Sequence, residues 1–259
     1  MTPLHRTVLG LALAGLTAAS QAASVTVEFD NPIFNGVPAP SFDNVSITYP
    51  KQSGTGSQSA GVAAGRFQGR VLAYDGVDAS IFVDGLNDLY MYCYDVYEHI
   101  GGAWVVDYTI NLSGENARTL DFLGAVNGVL NQDSPAVDPY AWLRPGSGFA
   151  AAAIQLGIWE SKYDTGPWDI GNGSFKATNL DAGTRSALDT FFAAIDGAAA
   201  LDGQYVMTLE AAGAQDMITG DPPPPADVPE PGTLALLGAA FVGLVTTRRR
   251  AAQGAAAST

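Results

Sequence analysis

Residues 88–131 read DLYMYCYDVYEHIGGAWVVDYTINLSGENARTLDFLGAVNGVLN, and the hydrophobic period changes inside them. From Asp88 to Ile100 and from Ala103 to Leu112, aromatic and β-branched residues alternate with others, which predicts two strands. Gly101-Gly102 between them predicts a hairpin turn. From Asn116 to Asn131, Leu120, Leu123, Val126 or Val129, and Leu130 fall at helical spacing. One stretch therefore holds both a β-sheet and a helix.

Working outward, SVTVEF (24–29), NVSITYP (44–50), GRFQGRVLAY (65–74) and ASIFVDG (79–85) also read as strands. Downstream, Ser147 is placed to cap a helix from Gly148 to about Tyr163. Asp181 or Thr184 is placed to cap another, with Leu188, Phe191, Phe192 and Ile195 on one stripe and an end at Gly197. GQYVMTLEA (203–211) returns to strand alternation. Strands, then helices, then a strand predict an α+β domain: an antiparallel β-sheet or sandwich with a small helical subdomain beside it.

The two ends differ from this core. The chain opens MTPLHRTVLGLALAGLTAASQAAS, with His5 and Arg6 ahead of an apolar run from Thr7 to Leu16. Ser20-Gln21-Ala22 then supplies a small-x-small cleavage site, so residues 1–22 read as a secretory signal helix removed by signal peptidase. At the other end, DPPPPADVPEP precedes an apolar run from Gly232 to Thr247 and then Arg248, Arg249 and Arg250. Those 16 residues would make a helix of about 24 Å, close to a single transmembrane helix, and the three arginines hold its end in the cytoplasm. The expected organisation is a signal peptide (1–22), a core domain (23–212), a proline-rich linker (213–231) and a membrane tail (232–259).

Val228-Pro229-Glu230-Pro231, the apolar run and the arginine cluster together resemble the PEP-CTERM sorting signal of Gram-negative bacteria. The resemblance implies handling by an exosortase in the inner membrane. It also implies delivery to the cell surface or the exopolysaccharide matrix, the apolar tail then being removed.

Charge narrows the partners. The 259 residues carry 12 basic and 26 acidic side chains, a net charge of −14. Setting aside Arg6, Arg248, Arg249 and Arg250 leaves eight basic residues against all 26 acidic ones, a balance of −18 for the exported part. Such a surface repels nucleic-acid phosphates, so no nucleic-acid partner is expected.

Cys93 is the sole cysteine. An exported chain meets oxidising conditions, yet this thiol has no partner for an internal disulfide. It reads either as a special thiol or as a buried small hydrophobe. A Cys-His hydrolase would pair it with His99, the one histidine of the mature chain. Six residues along the same predicted strand would separate them by roughly 20 Å. One Cys and one His are too few for zinc, and no DxDxDG loop points to calcium, so no metal or cofactor is expected.

In the helix FAAAAIQLGIWESKYD (149–164), Gln155 and Trp159 share a face at i and i+4. Taken with Tyr92-Cys93, the pattern Ile154-Gln155-x-x-Ile158-Trp159 resembles the thioester domains of bacterial surface adhesins over residues 85–165. The resemblance implies a bond between the Cys93 sulfur and the Gln155 side-chain carbonyl, shielded by Tyr92, Tyr94 and Trp159. It further implies capture of an amine-bearing surface protein or matrix component in one turnover, which is adhesion and not enzymatic catalysis. The alternative is a non-covalent exopolysaccharide-binding protein that uses Trp104, Trp142 and Trp168 as a sugar platform.

Overall fold

The structure is a computed structural model that describes residues 22–77, 89–100, 104–134 and 137–220. The expected signal segment (save Ala22), the ASIFVDG strand and the membrane tail with its Val228–Pro231 motif and Arg248–Arg250 lie outside the described residues. Among the described residues, no helix is long and apolar enough to cross a membrane.

Nine strands and three α-helices are described, and every strand pairing is antiparallel. The strands are β1 (Ser24–Phe29), β2 (Phe42–Pro50), β3 (Ser57–Gly65), β4 (Phe67–Asp75), β5 (Leu89–Cys93), β6 (Val105–Asn111), β7 (Lys176–Thr178), β8 (Met207–Glu210) and β9 (Met217–Thr219). The helices are α1 (Ala117–Leu130), α2 (Gly148–Tyr163) and α3 (Ala182–Ala194). The α+β reading holds, but the expected sheet or sandwich is a closed barrel in the order β1-β4-β5-β9-β8-β6, with a separate sheet β3-β2-β7. Closure leaves no unpaired rim on the ring of strands.

Two differences follow from the closure. Gly101-Gly102 lies outside the described residues, and the two strands it was expected to join are not partners: β5 pairs with β4 and β9, whereas β6 pairs with β1 and β8. β9 lies in the stretch read as the start of the linker, yet it seals the barrel between β5 and β8.

The strand expected over 65–74 divides at Arg66, where the chain passes from the small sheet to the barrel. Arg66 is buried; its Nη1 donates to Leu143 O (3.0 Å) and its Nη2 to Asn35 O (2.9 Å), while the guanidinium lies 3.7 Å over the Tyr90 ring. A side chain held from three directions marks the corner. The preceding strand β3, SQSAGVAAG, carries no strong alternation and is exposed over much of its length. Nine residue pairs with β2 make it a strand.

The strand expected to run to Ile100 ends at Cys93. Asp95 explains the stop: its Oδ1 accepts the N–H groups of Tyr97 (2.9 Å) and Glu98 (3.1 Å), a local turn that competes with the ladder.

The helices match their expected spans closely. Asn116 Oδ1 caps α1 by accepting from Thr119 N, and Ser147 Oγ caps α2 by accepting from Ala150 N. Asp181 occupies the cap position of α3 without a side-chain bond to the helix; Thr184 is buried inside it. The two glycines that let α2 pack tightly are Gly148 and Gly157. A Cβ at Gly148 would stand 1.5 Å from Pro40 O, and one at Gly157 would stand 2.0 Å from Phe122 Cζ of α1.

Candidate functional site

Twelve of the sixteen residues of α2 are buried, Ala151 to Ser161 without a break. A helix apolar on nearly all sides belongs at the centre of a domain. Within that run Gln155 is a fully buried polar side chain and needs bonding partners.

β5 supplies them. Tyr94 N–H donates to Asp216 O (2.8 Å) on the β9 side. By strand alternation, Cys93 therefore turns its own N–H and C=O the other way, toward β4. The pairing of β4 with β5 stops at Met91, so no strand meets Cys93 there. Gln155 fills that edge. Cys93 N–H donates to Gln155 Oε1 at 2.8 Å, and Gln155 Nε2 donates to Cys93 O at 2.8 Å. The side-chain amide acts as one rung of a missing strand. Residues 62 apart in sequence are thereby joined by two hydrogen bonds.

The thiol is buried as well, with Cys93 6% exposed and Gln155 0%. Burial pushes the Cys93 thiol well above its ordinary range, and the charge of Asp95 raises it further. A thiol held neutral is a poor metal ligand and a poor ready-made nucleophile. His99, the base required by the hydrolase reading, is exposed and borders a cleft of about 390 Å³ with Tyr97, Tyr108 and Gln215. The strand that was to carry His99 away from Cys93 ends before reaching it, so the separation expected from strand rise does not apply.

The three aromatic residues assigned to shielding are all buried. Tyr92 donates from its hydroxyl to Trp142 O (3.1 Å) and stacks on the Trp142 ring at 5.8 Å. Tyr94 accepts from Asn116 N–H (3.0 Å), tying β5 to the start of α1. Trp159 packs against Phe175, ring centres 6.2 Å apart. Two neighbours were not assigned to this site from the sequence. Trp142 reaches the site only through the fold. Lys162 sits with Nζ 3.7 Å over the Tyr94 ring, and its position seven residues after Gln155, two helical turns on the same face, was a legible signal. Burial holds the Lys162 ammonium below its usual range, against the pull of Asp95, Asp216 and Glu210.

Asp95, Glu98 and Asp216 bring carboxylate oxygens within 4.8 Å of one another. Backbone groups already occupy them: Asp95 Oδ2 accepts from Asp216 N, Asp216 Oδ1 from Ala211 N, and Glu98 Oε1 from Gly213 N. Burial, with the Asp95 charge beside it, pushes Asp216 up to about 6. The trio clasps the loop after β5 to the loop before β9.

The sugar platform of three tryptophans does not assemble. Trp142 is fully buried, and Trp168 lies between Phe122, Phe192 and the Arg118 guanidinium, which stands 3.6 Å over its ring. Trp104 alone is exposed, at 44%.

Comparison with known proteins bears on the tail. A family described as the PEP-CTERM protein-sorting motif matches residues 227–250. The match spans Val228–Pro231 and Arg248–Arg250, and it is consistent with an exported protein processed by exosortase at the membrane and delivered to the surface or matrix. No curated protein and no solved structure matches the chain.

Proposed function

We propose that Cys93 and Gln155 form an internal thioester, and that the exported protein uses it to capture amine groups on a surface or matrix target. The observation supporting this reading is the pair of 2.8 Å hydrogen bonds that hold the Gln155 amide against the Cys93 backbone. Such docking holds the Gln155 amide beside the residue that carries the thiol, which lowers the entropic cost of bringing sulfur to carbon.

The Cys93 sulfur adds to Cδ of Gln155, and negative charge develops on Oε1. Cys93 N–H already donates to that oxygen, so the oxyanion inherits an oriented donor. The C–N bond then breaks, and the amide nitrogen leaves with the thiol proton as ammonia. An incoming amine later adds to the same carbon and the C–S bond breaks. Gln155 is left as a secondary amide and Cys93 as a free thiol after the amine proton moves to sulfur. The complete burial of Gln155 limits hydrolysis before capture. Tyr92, Tyr94 and Trp159 serve as the enclosing wall.

Intact mass spectrometry of the exported protein tests the reading. The expected mass lies one ammonia below the sequence mass, and Cys93→Ala or Gln155→Glu abolishes the deficit. A wild-type mass equal to the plain sequence, from fresh unheated material, refutes it.

A further inference from the structure

We infer that the cleft beside Trp104 is a binding subsite for a neutral saccharide chain, independent of the Cys93–Gln155 pair. The cleft is an open surface depression of about 470 Å³, lined by Glu28, Phe29, Asp30, Asn31, Arg70 and Trp104.

Its parts match what a pyranose ring presents. One face of the sugar is apolar C–H surface, and Trp104 offers an exposed aromatic face, the only one among the four tryptophans. Leaving an indole in water forgoes hydrophobic stabilisation, which stacking would recover. The edges of a sugar carry vicinal hydroxyls, each both donor and acceptor. Glu28 and Arg70, ion-paired across β1 and β4, set a carboxylate beside a guanidinium. Asn31, also exposed, adds a carbonyl and an amino group.

The site is braced. Phe29 N–H donates to Trp104 O (2.7 Å), and Asp30 N–H donates to Gln68 O (2.9 Å). Asp30 Oδ2 accepts from Gln68 Nε2 (3.0 Å), which holds that carboxylate at the cleft. Charge sets the class of sugar. Arg70 offsets Glu28, which leaves Asp30 as the net charge, so uronate-bearing chains are repelled and neutral ones admitted.

Titration of the exported protein with β-1,4-glucohexaose, β-1,3-glucohexaose and β-1,4-mannohexaose tests this. At least one is expected to bind by calorimetry and to protect the tryptophan emission from acrylamide quenching. Trp104→Ala weakens that binding about tenfold or more, while Cys93→Ala leaves it unchanged. Absence of both heat and protection with all three sugars overturns the inference. So does equal affinity in Trp104→Ala, or tighter binding of an alginate oligomer. The quenching measurement on the unmutated protein stands even if Trp104→Ala does not fold. Because Cys93→Ala cannot form the thioester, sugar binding and amine capture fail separately.

Discussion

Oε1 of Glu160 stands 3.9 Å from Nη2 of Arg118, near enough for attraction and too far for a hydrogen bond. Glu160 is fully buried, and no well-formed hydrogen bond reaches either carboxylate oxygen; the backbone N–H of Asp169 is the one donor turned toward it. Arg118 lies over the Trp168 ring instead. Burial, with the charges of Asp164 and Asp169 adding to it, pushes Glu160 from 4.5 up to about 8; the Asp169 N–H and Arg118 offset this only in part.

Because the folded value is raised, folding takes up a proton. The stabilisation is complete below about 4.5, shrinks as pH rises, and is gone above about 8. Glu160→Gln removes this loss, so the variant gains on the wild type by a few kcal/mol, on the order of the shift, between those limits. Denaturant unfolding of both proteins at several pH values measures the difference. Parallel curves would show that Glu160 does not titrate in this window.

Asp164 has the opposite sign. Burial pushes its carboxyl up, but the N–H groups of Gly166, Ser174, Phe175 and Thr165 outweigh that and hold it below the usual range. Asp164→Ala leaves those donors without their acceptor and is expected to cost about 2–4 kcal/mol. Wild-type stability should also fall as pH drops through the depressed value. Hydrogen exchange at residues 165–175 reports the loosened loop, and unchanged protection would count against the role.

Gly157→Ala forces a methyl into the ring of Phe122, which is itself fully buried. Overpacking of this kind is expected to cost about 1–3 kcal/mol. Because the clash pushes α2 off its seat, the ammonia deficit should shrink in the same variant. Wild-type stability with a full deficit would show that the interface yields without cost.

Gln155→Leu removes both bonds to Cys93 and leaves a buried N–H and C=O without partners. The expected loss is about 2–5 kcal/mol. Gln155→Glu keeps an acceptor and should lose less. This ordering concerns the unreacted amide; once the thioester has released Nε2 as ammonia, its bond to Cys93 O is gone and the covalent link takes its place.

Thiol titration separates the covalent reading from a merely buried cysteine. Under the proposal, unfolding in acid without amine exposes no free thiol at first, whereas methylamine releases one thiol per chain in step with labelling at Gln155. A full thiol count in freshly unfolded, untreated protein would exclude the bond.

Much of the candidate site was readable before any coordinates. Cys93 on an aromatic strand, although at its end and not its centre, and Gln155 four residues before Trp159 were both visible. The boundaries of α1 and α2 were too, because Asn116 and Ser147 cap helices through bonds three residues long. Trp142 entered only through the alternative sugar platform, since nothing around position 142 announces that Tyr92 stacks on it. The end of β5 was missed because one carboxylate, Asp95, outbids the ladder for two N–H groups.

By itself the sequence determined what depends on near neighbours: hydrophobic period, helix caps, the acidic surface and the sorting tail with its arginines. Only the tertiary structure decided that β9 and not β6 lies beside β5, that the sheet closes, and that Glu160 and Trp142 are sealed inside. It also decided that Gln155 takes the edge of Cys93 that β4 leaves empty. The physical reason is that a strand edge accepts whichever donor and acceptor packing delivers, and that delivery is settled by the whole domain.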